Sequence, residues 1–494
     1  MNTSQVKKVV IAGGGTAGWM AAAALSKLLG KNLDITLVES DEISTIGVGE
    51  ATIPPLLTFH KLLGIKEQDF MLATQATFKL GIEFENWRNG QDKYIHSFGA
   101  VGRDCWACGF QHFWRKGHDL GISGDYGQYC LELEAAKANK FAHLKPPVVR
   151  YAYHINATLY AKFLRQFSEK LGVKRIEGKI EKIENNDHSG MIESLELASG
   201  QQIQGDLFID CTGFRGLLIE QNLHAGYEDW SHWLPCDSAV AVQTKATSDP
   251  IPYTRSIAHK AGWQWRIPLQ SRVGNGLVYC SRYYSEQQAT QSLLENIDGD
   301  TLTDPLHIKF RTGQRRKHWS KNCVALGLSA GFIEPLESTS IHLIQRGILR
   351  LIQLFPTNGI NAADSEEFNR QTNLETQSIR DFIILHYHVN ERQDSRFWRY
   401  CRDMSIPDTL AHRIELFKEG GRFFHEGDEL FGEFSWTQVM LGQGIMPRSY
   451  HPIVDLMSAN ELKAFLDNIR TPIKQALDAM PLHHQYIQRY CKTD

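Results

Sequence analysis

The feature that most constrains this chain is a glycine fingerprint near its start, set between an apolar run and an Ala-rich run. Val6 to Ala12 reads as a buried strand, Gly13-Gly14-Gly15-Thr16-Ala17-Gly18 as a tight turn, Trp19 to Leu29 as a helix, and Asn32 to Glu39 as the next strand. That order is a βαβ unit, which commits the chain to a parallel sheet with right-handed crossovers. Each glycine has a mechanical reason in such a unit. Gly13 permits the turn, Gly15 lets backbone N–H groups approach a pyrophosphate beside Thr16 and Ala17, and Gly18 lets helix and strand pack. The helix N-terminus favours the negative charge, and Glu39, ending the second strand, is placed to accept from a ribose hydroxyl. The expectation is a dinucleotide site.

Two segments far down the chain point to FAD rather than NAD, because a large flavin cofactor needs further loops along its length. Leu207 to Gly213 is an apolar strand running through Asp210 into a small-residue turn, and Val324 to Gly331, with Gly327 and Leu328, repeats that pattern. Either segment alone is compatible with a purely structural role. No second nucleotide fingerprint follows, a pattern compatible with a separate reductase and equally with a single-domain hydroxylase.

With 53 Lys plus Arg against 56 Asp plus Glu in 494 residues, the charge is too balanced for a nucleic-acid or anionic-membrane binder. Apolar residues at 42% and charged residues at 22% exclude disordered and coiled-coil classes. Nine cysteines, scattered and odd in number, form no disulfide framework and lead to the expectation of a cytoplasmic location. Cys105-Trp-Ala-Cys108 stands without a second pair at zinc spacing, so no metal is expected. The run Lys7 to Leu25 imitates a leader peptide, but its glycines spoil the apolar stretch, and no run is long enough for a membrane span.

The rest of the chain predicts a helix over Ile53 to about Phe70, then a long irregular stretch, about 85–150, that sets Gly, Trp, His and Tyr around a cavity. Alternating segments from Ser238 to Ser281 predict an inserted antiparallel sheet, and helix-period segments dominate beyond Ile341. The expected division is an FAD-binding α/β body at 1–345 and a helical subdomain at 346–494 that closes a substrate pocket.

Four motifs then make a family resemblance specific. Gly262-Trp263-Gln264-Trp265-Arg266-Ile267-Pro268 contains W-x-W-x-I-P, which resembles the signature of the flavin-dependent tryptophan halogenases. The likeness continues in Gly47 to Thr52, in Thr77 to Ile82 and in Glu334 to Thr339, and it spans nearly the whole chain. It implies a flavoprotein monooxygenase-like fold, with Gly49 and Ala51 joining the cofactor site. It also implies that reduced FAD and O2 give a flavin hydroperoxide, that a bound bromide or chloride attacks it, and that hypohalous acid travels to a separate substrate site.

Residue roles follow from the same likeness. Lys79 matches the lysine that receives the hypohalous acid, as a haloamine or through a hydrogen bond; considered alone, a lysine is usually a solvated charge. Glu337 matches the catalytic glutamate that stabilises the halogenated arene, although such a residue near a helix start is also an ordinary dipole partner. Thr339 and Ser340 match the halide-binding positions, with Ser340 where many relatives carry Gly. His96 and Phe98 resemble the pair that sandwiches an indole, on a stretch that also suits a half-buried strand, and Trp263 and Trp265 are expected to wall off the flavin. The implied substrate is tryptophan, indole or an indole derivative, with a phenol or a peptide-borne side chain also open, and the implied partner is an NAD(P)H-dependent flavin reductase; a homodimer is compatible with the likeness. The rivals are an FAD-dependent aromatic monooxygenase and a non-catalytic FAD-binding scaffold.

Overall fold

The computed structural model describes residues 5–43, 49–145 and 147–491. The chain forms two compact units, each stitched from three stretches: Met1–Ala76, Ile155–Pro235 and Lys309–Gln377 in the first, Thr77–His154, Cys236–Ile308 and Ser378–Asp494 in the second. The expected cut at 345/346 falls inside the helix Ser340–Gln353 of the first unit, and the late helices share the second unit with residues 77–154. Strands bury their apolar runs by pairing with partners distant in sequence, so the units interleave.

The first unit is built on a six-stranded sheet in the order 319–320, 323–325, 207–210, 8–12, 34–39, 174–177. Its middle is parallel, with Ala12 level with Val38 on one side and with Asp210 on the other, and Asp210 level with Ala325. Val9 to Ala12 are at most 1% exposed, as expected of a strand covered on both faces. The helix Thr16–Leu29 presents Trp19 to Leu25 wholly inward and packs against the helices Ala157–Lys170 and Ser340–Gln353. Its run of four alanines permits that close approach. The predicted helix from Ile53 is two helices, Pro55–Leu63 and Glu67–Thr74, because Gly64 ends the first in the left-handed conformation.

The second unit holds a seven-stranded sheet in the order 306–309, 238–245, 272–279, 262–268, 253–259, 81–85, 93–97. The strands from 238 to 279 pair antiparallel, and Tyr253–His259 runs parallel to Gly81–Glu85. The stretch expected to be irregular carries a strand, Lys93–Ser97, and two helices, Phe110–Asp119 and Leu131–Lys137. Its aromatic richness masked the helical period. The helix Glu433–Gly442 lies against the strand Lys93–Ser97. Near the end, the helix Ala459–Ala479 runs through Pro472. Among the described residues no helix is long and apolar enough to cross a membrane.

Candidate active site

In the first unit, three turns leave the C-terminal ends of three adjacent parallel strands, where open α/β sheets place their ligands. The turn after Ala12 begins with Gly13 at φ 108°, and a Cβ there would collide with the carbonyl of Cys211 in the second turn. A Cβ on Gly18 would strike the Gly13 carbonyl oxygen. Thr16 opens the helix, whose N-cap Gly15 provides no side-chain cap and whose first turn has no acidic residue. Its first N–H groups are therefore left for an anion, such as a pyrophosphate. Glu39 rests over Gly14, where any Cβ would overlap its carboxylate, and it accepts from Arg175 Nε at 2.6 Å.

The second turn is tied by Asp210, which is fully buried and accepts from Thr212 N–H and Oγ1–H and from the N–H groups of Leu218 and Ile219. Its carboxylate shapes the turn and holds the start of the helix beyond. Gly213 sits at φ 71° with open space where a side chain would be. The third turn holds Gly327 and Leu328 in the short helix Gly327–Ser329; a Cβ on Gly327 would come 2.8 Å from Ala17 Cβ. Leu326 N–H and Ser329 Oγ both donate to the Asp210 carbonyl, which locks the second and third turns together.

Gly49 and Ala51 lie on a short strand, Gly49–Ala51, and Gly47 and Val48 of the same motif lie outside the described residues. Between Gly49 and Ala51, burial pushes the Glu50 carboxyl up to about 7.

The same unit carries Glu337, Thr339 and Ser340. Pro335 starts a single helical turn that ends at Glu337, 1% exposed, and Ser338 then reverses the chain at φ 60°, a conformation costly for a side-chain-bearing residue. Thr339 and Ser340 open the helix Ser340–Gln353, again without a side-chain cap or an acidic first turn. Thr339 is wholly buried and its Oγ1 has no hydrogen-bond partner. Uncapped N–H groups beside a buried hydroxyl make a small polar seat of the kind that suits an anion.

In the second unit, Lys79 is 0% exposed on the strand Thr77–Lys79, with its Nζ 5.2 Å from the centroid of the Phe98 ring. Its strand is held from several sides. Thr77 Oγ1 donates to the Pro268 carbonyl at 2.8 Å, so His154 Nδ1–H must donate to Thr77, and His154 Nε2 accepts from Thr254 Oγ1 at 2.9 Å. Burial, and then the Lys79 charge, hold the His154 pKa well below its usual range, so the ring stays neutral. Phe78 N–H donates to His483 Nε2 at 3.2 Å, while His483 Nδ1–H donates to the Pro250 carbonyl at 2.8 Å. Leu80 N–H donates to the Pro252 carbonyl.

His96 is 2% exposed beside Phe382 and Phe431, at centroid distances of 5.6 and 6.1 Å, and half-buried Phe98 lies in the bend just past the strand's end. Trp263 and Trp265 point to one face of the seven-stranded sheet with centroids 6.1 Å apart, and the Trp265 ring lies over Gly276, its register partner. Cys105 and Cys108 face each other across the turn Trp106-Ala107 as free thiols.

Sequence reasoning missed Arg175, His154, His483, Phe382 and Phe431. Each lies far along the chain from the motif it supports, and only the fold brings it there.

Residues 8–459 match the family model described as Tryptophan halogenase. The chain is 34% identical to the tryptophan 7-halogenase RebH of Lentzea aerocolonigenes, covering 99% of each sequence. Its structure is similar to that of Xcc4156, a flavin-dependent halogenase from Xanthomonas campestris, with 58% identity, a TM-score of 0.98 and 99% of each chain covered. It is also similar to BrvH, a flavin-dependent halogenase from Brevundimonas sp. BAL3, with 43% identity and a TM-score of 0.95 over 99% of this chain and 100% of the other.

Proposed function

The chain belongs to the tryptophan halogenase family and is a flavin-dependent halogenase of aromatic substrates; from that premise we propose that it brominates or chlorinates an indole ring through an oxidised halogen delivered to Lys79. The observation that carries this reading is Lys79 itself. A lysine with no exposed surface, its ammonium against the Phe98 ring, has no role in binding a nucleotide and is suited to handling a reactive halogen beside an arene.

The first unit's turns would hold FAD. The uncapped start of the helix Thr16–Leu29 takes the pyrophosphate, Glu39, steadied by Arg175, takes a ribose hydroxyl, and the turns at Gly213 and Gly327 offer backbone without side chains. When bound and reduced, FAD supplies with O2 the oxidising equivalent that converts halide to hypohalous acid. Thr339 and Ser340 hold the halide by peptide N–H groups, with the buried Thr339 hydroxyl as a further donor. Lys79 receives the hypohalous acid, either forming a haloamine or donating a hydrogen bond that makes the halogen more electrophilic. Glu337 stabilises the positive charge of the halogenated ring and takes its proton. His96 and Phe98 orient the arene, and Trp263 and Trp265 keep organic molecules from the flavin, which favours halide as the attacking species. A separate NAD(P)H-dependent reductase renews the reduced flavin.

The test incubates the protein with FAD, a flavin reductase, NADH and bromide against a panel of indoles and phenols, with mass spectrometry for the bromine isotope pair. The expected product is a bromoindole. An oxygenated product formed without halide overturns the reading in favour of a monooxygenase, and flavin oxidation with no modified arene overturns it outright.

A further inference from the structure

The segment that carries His96 and Phe98 is gripped at its middle by one side chain from a distant helix. Gln438, on the helix Glu433–Gly442, accepts the Ser97 N–H at 3.1 Å and the Ser97 Oγ–H at 2.9 Å through the same Oε1, and donates from Nε2 to the Ser97 carbonyl at 3.3 Å. A side-chain amide here does what a neighbouring strand would do, satisfying both backbone groups of one residue, and adds the hydroxyl. Gln438 is 5% exposed and Ser97 2%, so water does not compete for these bonds. Gln438 Nε2 also donates to Phe434 O, which fixes the amide in its own helix.

Cys130 lies beside the Ser97 hydroxyl, with Sγ 3.2 Å from Oγ, and the Glu132 carboxylate next to that thiol accepts the Arg150 N–H at 2.8 Å. Phe98 N–H donates to the Leu80 carbonyl, one residue from Lys79. Ser97 is the last residue of the strand Lys93–Ser97, so holding it fixes the backbone from which His96 leaves on one side and Phe98, at the start of the bend beyond, on the other. A rotation at Ser97 would move the Phe98 ring against the Lys79 ammonium.

We propose that Gln438 is a positioning residue for the aromatic substrate: by gripping Ser97 on three atoms it sets the placement of His96 and Phe98, and so decides how efficiently the oxidised halogen reaches the ring. The proposal rests on the reading above, in which His96 and Phe98 flank the arene. An arene displaced by about 1 Å loses about one to two orders of magnitude in rate, whereas hypohalous acid formation does not involve this segment.

The experiment compares the FAD-loaded wild type with Gln438→Leu and Gln438→Glu, using bromide and indole. Three quantities are read: kcat and KM for indole, bromoindole formed per NADH consumed, and hypobromous acid captured by a freely diffusing trap. The expected result for Gln438→Leu is a kcat/KM for indole lower by about 10- to 100-fold, with bromoindole per NADH falling while trapped hypobromous acid rises. Gln438→Glu keeps an acceptor for Ser97 N–H and Oγ–H, so it is expected to recover part of that loss. Wild-type kcat and KM in Gln438→Leu overturn the proposal, as does a parallel fall in FAD binding, trapped hypobromous acid and product in both variants, which marks a general loss of structure. A wild type that makes no bromoindole defeats the functional reading itself, and this proposal with it.

Discussion

The two units present their chemistry in opposite ways. In the first, the cradle is made of backbone: Gly13, Gly213 and Gly327 stand where side chains would collide or block, and two helices begin without caps. In the second, the lysine and its aromatic neighbours are aimed by side chains, with His154, His483 and Gln438 each bonding a strand or its neighbour. A cofactor of fixed shape is well served by peptide geometry, which any chain supplies once glycine removes the obstacles. A site that must aim one small ring at one atom needs directional groups, and these come from elsewhere in the sequence.

The sharpest way to break this contrast is Lys79→Ala. Bromoindole formation should fall by at least about 10³-fold while NADH consumption and trapped hypobromous acid persist; product at the wild-type rate would show that the second unit aims nothing. Glu337→Gln comes next, because Glu337 is a side chain placed amid the backbone-built region. It should slow product formation by about 10²-fold with FAD affinity unchanged, measured by single-turnover kinetics and flavin fluorescence titration.

The backbone side is tested by Gly13→Ala. Forcing a Cβ against the Cys211 carbonyl at a φ of 108° carries strain of about 1–3 kcal/mol, or about 5- to 150-fold in FAD affinity if the turn relaxes away from its bound shape. Unchanged affinity would mean that the turn is not a cradle.

Acid stability sharpens the side-chain half. Burial lowers the His483 pKa to about 4, whereas an unfolded imidazole titrates near its ordinary 6.5. Below 6.5 the unfolded chain takes the proton first, so stability present above that pH is lost as pH falls from about 6.5 toward 4. The melting temperature should drop across that window, and His483→Gln should make the drop shallower. The smallest effect expected is from Arg175→Ala, which frees Glu39 from a partly exposed ion pair and should weaken FAD binding only a few-fold, in line with about 1 kcal/mol or less for such a pair.

The same contrast explains what was legible in the sequence. The strand-turn-helix opening, the strand at Leu207–Asp210 and the alternating sheet with Gly262–Pro268 are local patterns, and local patterns are written in consecutive residues. The positions of Lys79 and Glu337 came from resemblance, since nothing in Thr-Phe-Lys-Leu by itself predicts a lysine with no exposed surface. Gln438 and His483 left no trace, because a hydrogen bond between residues 341 or 405 positions apart has no sequence period. The helix break at Gly64 was missed for a related reason: one left-handed residue stops a helix whose apolar spacing continues beyond it.

The three-way interleaving of the units bears on how a ribosome can deliver this enzyme. Residues 309–377 complete the first unit, and the second has already begun at Thr77, so neither can finish before most of the polypeptide has been synthesised. The turn at Gly327 emerges more than three hundred residues after the one it abuts at Ala17. A single cut anywhere between residues 77 and 377 therefore divides both units at once.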